Sequence, residues 1–267
     1  EFSWSSNFNI SFNKNKVLEV GVDGRPIYGS AANANNAFIT KPGYPIASFY
    51  GYKYIGVFQS EEELAKYPHL SGDKVGDGRY EDVNKDGVLD QNDKTILGDN
   101  NPLFTAGFSN SFSYKNFTLD IQFTGSYGAE VFSFYKRMCG IYHGDRNGMI
   151  EQLGRWQSKD QPGDGIHFRP TRTPSGWQRD PSSAWVQDAS YLRLRNLTLG
   201  YNFDQKVLDK MKMKGLRLYV TGQNLFTITN YVGYDPETSS ESGLAQGGDY
   251  LGYPAARSFI IGANITF

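Results

Sequence analysis

The last eleven residues, Arg257 to Phe267, alternate with a period of two. Phe259, Ile261, Ala263, Ile265 and Phe267 fall on one face, and Ser258, Gly262, Asn264 and Thr266 on the other, with Ile260 the one exception. The pattern recurs in Phe2 to Asn13, where Phe2, Trp4, Phe8, Ile10 and Phe12 oppose Ser3, Ser5, Asn7, Asn9 and Ser11. Leu103 to Tyr114 and Phe117 to Tyr127 repeat it, and Leu197 to Phe203 and Leu216 to Thr227 follow it less cleanly. Alternation over ten or more residues is long for a globular strand, whose usual length is about five or six. It matches the roughly 9–11 residues that a tilted strand needs to cross a bilayer. The polar face is small and neutral, as a packed or water-filled lumen requires, and the apolar face would meet lipid. The expected lipid set includes Phe108, Leu119, Ile121, Phe123, Leu199 and Ile261; Thr118, Gln122, Thr124 and Asn264 would face the lumen.

Loop lengths predict a topology. With Phe267 at the periplasmic rim, the last strand descends and Tyr231 to Ala256 is an outer loop. Leu216 to Thr227 ascends from a periplasmic connection, Asp204 to Lys214, in which Val207, Leu208 and Met211 have helical spacing. Tyr191 to Phe203 descends from a long outer loop, 128–190. The tight Lys115-Asn116 turn joins Leu103–Tyr114 to Phe117–Tyr127, and 23–102 is a second long outer excursion. The first strand is expected to descend and another to ascend from about Lys16, which makes about seven strands. Seven cannot close a bacterial barrel, which has an even number, so further strands are expected upstream. The chain opens in mid-strand and is therefore expected to be a fragment.

Composition narrows the classes. No run of 18 apolar residues exists, so no transmembrane helix is expected. Eighteen Tyr and 30 Gly suit aromatic girdles and Gly-rich loops better than a helical core. A net charge of −1 gives no reason to expect nucleic-acid binding. Cys139 is the only cysteine and reads as an incidental thiol. His69, His143 and His167 form no metal-ligand spacing, and no nucleophile-elbow motif frames a serine, so no enzyme is expected.

One loop carries specific chemistry. In Asp82 to Asp93, positions 1, 3 and 5 are Asp82, Asn84 and Asp86, and position 6 is Gly87. Val88 offers a carbonyl at position 7, with Asp90 at position 9 and Asp93 at position 12. Alternating oxygens around a sharp Gly turn suit hard, six-to-eight-coordinate Ca²⁺, although Asp at position 12 reaches less far than the usual Glu. From Asp73 to Asp99, eight acids oppose Lys74, Arg79, Lys85 and Lys94, an excess of negative charge that a cation would relieve. A structural Ca²⁺ is expected here; an Asx-rich turn cluster without metal is the simpler reading of the same residues.

The segments GYPIASFYGYKYIGVFQS (43–60), GDGRYEDVNKDGVLDQNDKTILGDNNP (76–102), DASYLRLRNLTLGYNF (188–203) and GLRLYVTGQNLFTITNYVGYDPE (215–237), with the aromatic terminus, resemble the carboxy-terminal part of the SusC/RagA family, TonB-dependent outer-membrane importers of Bacteroidota. The resemblance implies an all-β, 22-stranded antiparallel barrel with an amino-terminal plug that is absent from this sequence. It implies import of oligosaccharides or oligopeptides with a SusD-like surface lipoprotein as lid, energy from TonB through the missing amino-terminal region, and a dimer of transporter–lipoprotein pairs as one arrangement. Lid or cargo contact is expected near Phe49, Tyr50, Tyr52, Trp177 and Trp185, because long loops rich in Tyr, Trp and Arg favour interfaces. A secreted calcium-dependent carbohydrate-binding β-sandwich is the alternative. It would require the apolar faces to be buried in a soluble core.

Overall fold

The computed structural model describes residues 1–31, 34–140, 147–171, 180–238 and 242–267. Six long strands form one antiparallel sheet, laid side by side in chain order: β1 (Phe2–Ser11), β2 (Phe104–Tyr114), β3 (Phe117–Tyr127), β4 (Tyr191–Asn202), β5 (Gly215–Thr229) and β6 (Ser258–Thr266). At one end, Lys115-Asn116 joins β2 to β3, and a short helix, α1 (Gln205–Met211), lies between β4 and β5. Leu208 of α1 is buried, and Lys212 closes the helix in the left-handed conformation. At the other end the chain leaves the sheet in three excursions, 12–103, 128–190 and 230–257.

Two expectations are corrected. The strand count is six rather than seven, because no strand forms from about Lys16. The chain leaves the sheet there instead: the Asn15 amide donates to Asn101 at 2.6 Å and its oxygen accepts from Ile46 N–H at 3.0 Å, while Val17 exchanges backbone bonds with Gly43 and Tyr44. The first strand also runs opposite to the expected sense. Phe2 pairs with Tyr114 beside the tight turn and Ser11 with Thr105 at the excursion end. The first excursion therefore begins at residue 12 rather than 23.

Register carries the alternation across the sheet. Phe8 pairs with Phe108, Phe108 with Phe123, Leu119 with Leu199, Leu199 with Val220, and Val220 with Ile261, so the apolar side chains share one face. Nothing described packs on that face: Trp4 is 62%, Phe259 72% and Ile261 83% exposed. The sandwich alternative required this face to be covered. Its one conspicuous polar side chain, Asn110, is paired, accepting from the Trp4 indole N–H at 3.0 Å. Aromatic residues gather at both ends of the strands. Phe12, Phe104 and Tyr127 lie together at the excursion end, and Phe117, Tyr201 and Phe203 at the turn end.

The hydrophobic core sits in the excursions. Phe38 and Phe49 come from the first, Phe132, Phe134 and Trp185 from the second, and Ala245 from the third. The Phe38 ring lies 5.7 Å from Phe49 and 5.9 Å from Phe132, centroid to centroid, within the range of favourable aromatic pairs. Short strands tie the same segments together. Glu130–Ser133 pairs with Val186–Asp188 on one side and, in parallel, with Gly248–Asp249 on the other. Tyr52 exchanges backbone bonds with Pro181 and Ser183, and a Cβ at Gly51 would stand 2.1 Å from the Pro181 oxygen, so only glycine allows that approach. The three excursions thus make one folded cap.

The register is tested at adjacent positions in mid-strand. Ile121 lies between Asn110 and Leu197 on the apolar face, Gln122 between Ser109 and Asn196 on the polar one. Lysine facing lipid near the midplane costs about 2–4 kcal/mol. Ile121→Lys should sharply reduce heat-modifiable, folded protein in membranes, whereas Gln122→Lys should assemble normally. Equal losses at both positions would refute the register.

Candidate functional site

The polar face of the sheet is neutral except at two places. Toward the turn end, Ser111 donates to Asp120 at 2.6 Å, and Arg217 lies across to Thr118 at 3.2 Å. The space for that guanidinium exists because Gly200 has no side chain; a Cβ there would be 2.8 Å from Arg217 Nε.

The larger cluster lies at the excursion end and depends on an irregularity in β4. The register of β4 against both neighbours slips between Leu194 and Asn196, leaving Arg195 as the bulged residue. Such a bulge re-aims side chains. Arg193, Arg195, Asn196 and Thr198 all reach the polar side, while Leu192 and Leu194 before it and Leu197 and Leu199 after it share the apolar side. Arg193 is 3% exposed. Its three nitrogens donate to Thr227 at 2.8 Å, Glu237 at 2.5 Å and Asp235 at 2.6 Å. Arg195 donates to Glu237 as well and to Thr124, and the Tyr191 hydroxyl donates to Glu237 at 2.5 Å. Asp235 also accepts from Ala255 N–H at 2.9 Å. The third excursion is therefore pinned over the polar face by charge-assisted bonds, the stronger class of hydrogen bond. Burial pulls the Asp235 carboxyl upward, but Arg193 and the backbone donors outweigh it and hold it below the usual carboxylate range. Sequence patterning did not single out the acidic partners of these strand arginines. The signal is two leucine pairs, 192/194 and 197/199, set three apart instead of two, which mark the bulge, with Asp235 and Glu237 at the start of the third excursion.

The residues expected to meet a lid or cargo are distributed unevenly. Phe49 and Tyr52 are fully buried and Trp185 nearly so, each committed to the packing of the cap rather than to an open surface. Burial, with Asp180, Asp93 and Asp90 nearby, drives the Tyr52 hydroxyl above its ordinary range, and the Lys94 ammonium lies over the Tyr52 ring. Tyr50 is half-buried, tilted against Tyr28. Trp177 lies outside the described residues.

The loop 82–93 folds around its own backbone. Asp82 accepts from Lys85 N–H at 2.7 Å and Gly87 N–H at 2.9 Å, Asn84 from Asp86 N–H at 3.0 Å, and Asp86 from Val88 N–H at 2.9 Å. Lys85 and Gly87 take positive φ to make the turn. Asp93 is fully buried and accepts from Val83 N–H at 2.9 Å and Asp90 N–H at 2.8 Å, so it clamps the two ends of the loop together. Asp90 caps the short helical turn Gln91–Asp93. The oxygen chemistry fits a hard cation. The arrangement is not a preformed cage, since among the described residues no three His, Cys, Asp or Glu side chains converge to hold a metal.

The pinning of the third excursion should depend on acid. A carboxylate whose folded pKa is depressed stabilises the fold above its unfolded pKa and loses that contribution as pH falls through the folded value. Amide exchange at Ala255 should stay slow through neutral pH and accelerate below the usual carboxylate range. In Arg193→Met, which strands two acids against the wall, the loss should appear at higher pH with destabilisation of about 3–5 kcal/mol. Unchanged exchange in that variant would show that the network does not hold the loop.

No family model matches the chain. TonB-dependent receptor P3 of Formosa agariphila is 34% identical over 278 residues, covering all of this chain and 27% of that protein. TonB-dependent receptor SusC of Bacteroides thetaiotaomicron is 26% identical over 276 residues, again across the whole chain and 25% of the relative. Among solved structures, that of the RagAB peptide transporter matches the whole chain with a TM-score of 0.78 at 20% identity, over 27% of its own chain. The "open-open" state of the RagAB peptide importer matches with 0.69 at 21%. The chain thus spans about a quarter of the length of the relatives it matches, all of them receptors or transporters rather than enzymes. Along its whole length the chain is similar to TonB-dependent receptors, and its six-stranded antiparallel sheet has the fold of part of the β-barrel transporter in the RagAB structure.

Proposed function

We propose that this chain forms part of the barrel wall and the outer cap of an outer-membrane, TonB-dependent importer of oligosaccharides or oligopeptides, working with a SusD-like lipoprotein. The observation that carries the reading is an uncovered apolar face bounded at both ends by aromatic side chains. Eleven residues of strand, tilted at about 45°, rise roughly 25 Å, the height of the apolar band of such barrels. In this reading the short turns and Phe267 face the periplasm, and the three excursions face outward. The polar face lines the lumen, and the Arg193 cluster hangs the third excursion over its mouth. A lid lipoprotein would rest on the cap, where half-exposed residues such as Tyr50 remain available while Phe49, Tyr52 and Trp185 support them from below.

The reading is tested with the full-length transporter expressed beside its neighbouring lipoprotein gene. The protein should fractionate with the outer membrane and retain the lipoprotein through purification. Uptake of its oligomeric cargo should stop when TonB is removed. Uptake indifferent to TonB, or purification without a lipoprotein, would overturn it.

We also propose that Ca²⁺ binds loop 82–93, drawing Asp82, Asp86 and Asp90 away from their backbone donors while Asp93 remains the clamp. The support is the ligand spacing and the local excess of negative charge. Calorimetric titration of the full-length protein should show one site that Asp82→Ala abolishes. A titration without heat would leave the loop closed by its backbone alone.

A further inference from the structure

A cleft of about 370 Å³ opens between the first and second excursions and is lined by no residue of the Arg193 cluster. Tyr54 comes from the first excursion, and Met149, Phe168, Trp185 and Val186 from the second. The wall is firm. The Tyr54 hydroxyl donates to the Ile166 carbonyl at 2.5 Å, and its backbone N–H donates to Ser183 Oγ at 2.9 Å.

Two of the thirteen buried side-chain polar atoms without a hydrogen-bond partner among the described residues belong to residues that line this cleft. The Trp185 indole N–H, a donor, and the Gln152 amide oxygen, an acceptor, are buried without a hydrogen-bond partner among the described residues. Both side chains are more than nine-tenths buried. Buried polar groups in folded proteins are paired in the large majority of cases, and each exception calls for an explanation. An unmet donor and an unmet acceptor in one wall are complementary to the C=O and N–H of one extended peptide residue, which point to the same side.

We propose that this cleft is a binding pocket for an apolar or aromatic side chain presented on a peptide backbone. The side chain would enter among Tyr54, Phe168 and Val186. The C=O of one extended ligand residue would accept from Trp185 and its N–H would donate to Gln152 after a small turn of those side chains. Lys136 and Glu151, of opposite charge, also line the cleft and suit a ligand carrying no net charge of its own. The volume falls within the range of small-ligand sites, about 300–1,000 Å³. A sugar could satisfy the same two atoms and reach Lys136 or Glu151 with its other hydroxyls, but it would leave the apolar surface of Met149, Phe168 and Val186 against polar groups, where an apolar side chain buries it. The inference deepens the import reading and rests on its outward orientation of the cap.

The test is calorimetric binding to the purified full-length transporter, with the tripeptide alanyl-phenylalanyl-alanine and with maltotriose as probes. The tripeptide should bind and maltotriose should not. Trp185→Phe, which keeps an aromatic ring and deletes the donor, and Gln152→Leu, which deletes the acceptor, should each weaken tripeptide binding at least tenfold. Gln152→Leu, close in volume, should not lower the melting temperature, because it removes an oxygen without a described partner, and a merely structural role would lower it; Trp185→Phe leaves a cavity in the core and should lower it somewhat whatever the ligand. If one variant fails to fold, the other decides. No tripeptide binding, equal binding of maltotriose, or unchanged affinity in the variants would overturn the proposal. These are binding measurements without TonB, so their failure is distinct from a failure of energised uptake.

Discussion

Every long strand turns its apolar side chains to the same side, and no other described part of the chain covers them. That constraint organises the rest. A sheet that keeps one face for an apolar surrounding cannot also use it as the inner layer of a core, so folded stability outside the sheet must come from elsewhere. It comes from Phe38, Phe49, Phe132, Phe134 and Trp185, contributed by loops. Within the sheet, ladder hydrogen bonds satisfy the backbone of the four inner strands, which is the condition for strands to stand in lipid. Asn110 shows the same rule at a side chain, since its oxygen sits on the apolar face only with the Trp4 indole as donor.

Much of this was legible in the sequence, because a period of two is enforced by geometry wherever the two faces meet different surroundings. The apolar set, the tight Lys115-Asn116 turn, a short helix within Asp204 to Lys214 and most strand ends to within a residue or two follow from pattern alone. The sense of the first strand was not legible, for a definite reason. It depends on the path of the chain beyond Asn13, and the side chain of Asn15 is tied to Asn101 and Ile46, far along the chain, so no local signal fixed it. The long excursions were hardest to read. Their aromatic residues look alike whether they face a partner or one another, and only tertiary contacts separate buried Tyr52 from half-exposed Tyr50.

The charged residues divide by the work they do. Arg193 and Arg195 attach a loop to the wall, and Arg217 spans neighbouring strands. In loop 82–93 the acids are spent on backbone N–H groups, the same bonds that hold Asx turns elsewhere. A ligand-like spacing and a self-satisfied turn therefore share one sequence, and the buried Asp93 is the residue at which the two depart: it holds the loop shut from within.

The parallel pairing of Phe132 and Ser133 with Gly248 and Asp249 makes the cap depend on a segment remote in the chain. Ala245, just before that strand, closes the aromatic cluster begun by Phe38 more than two hundred residues earlier. The cap core is therefore complete only when the segment that leads into the final strand is in place. A chain truncated before Ala245 would expose an aromatic surface that the intact cap hides.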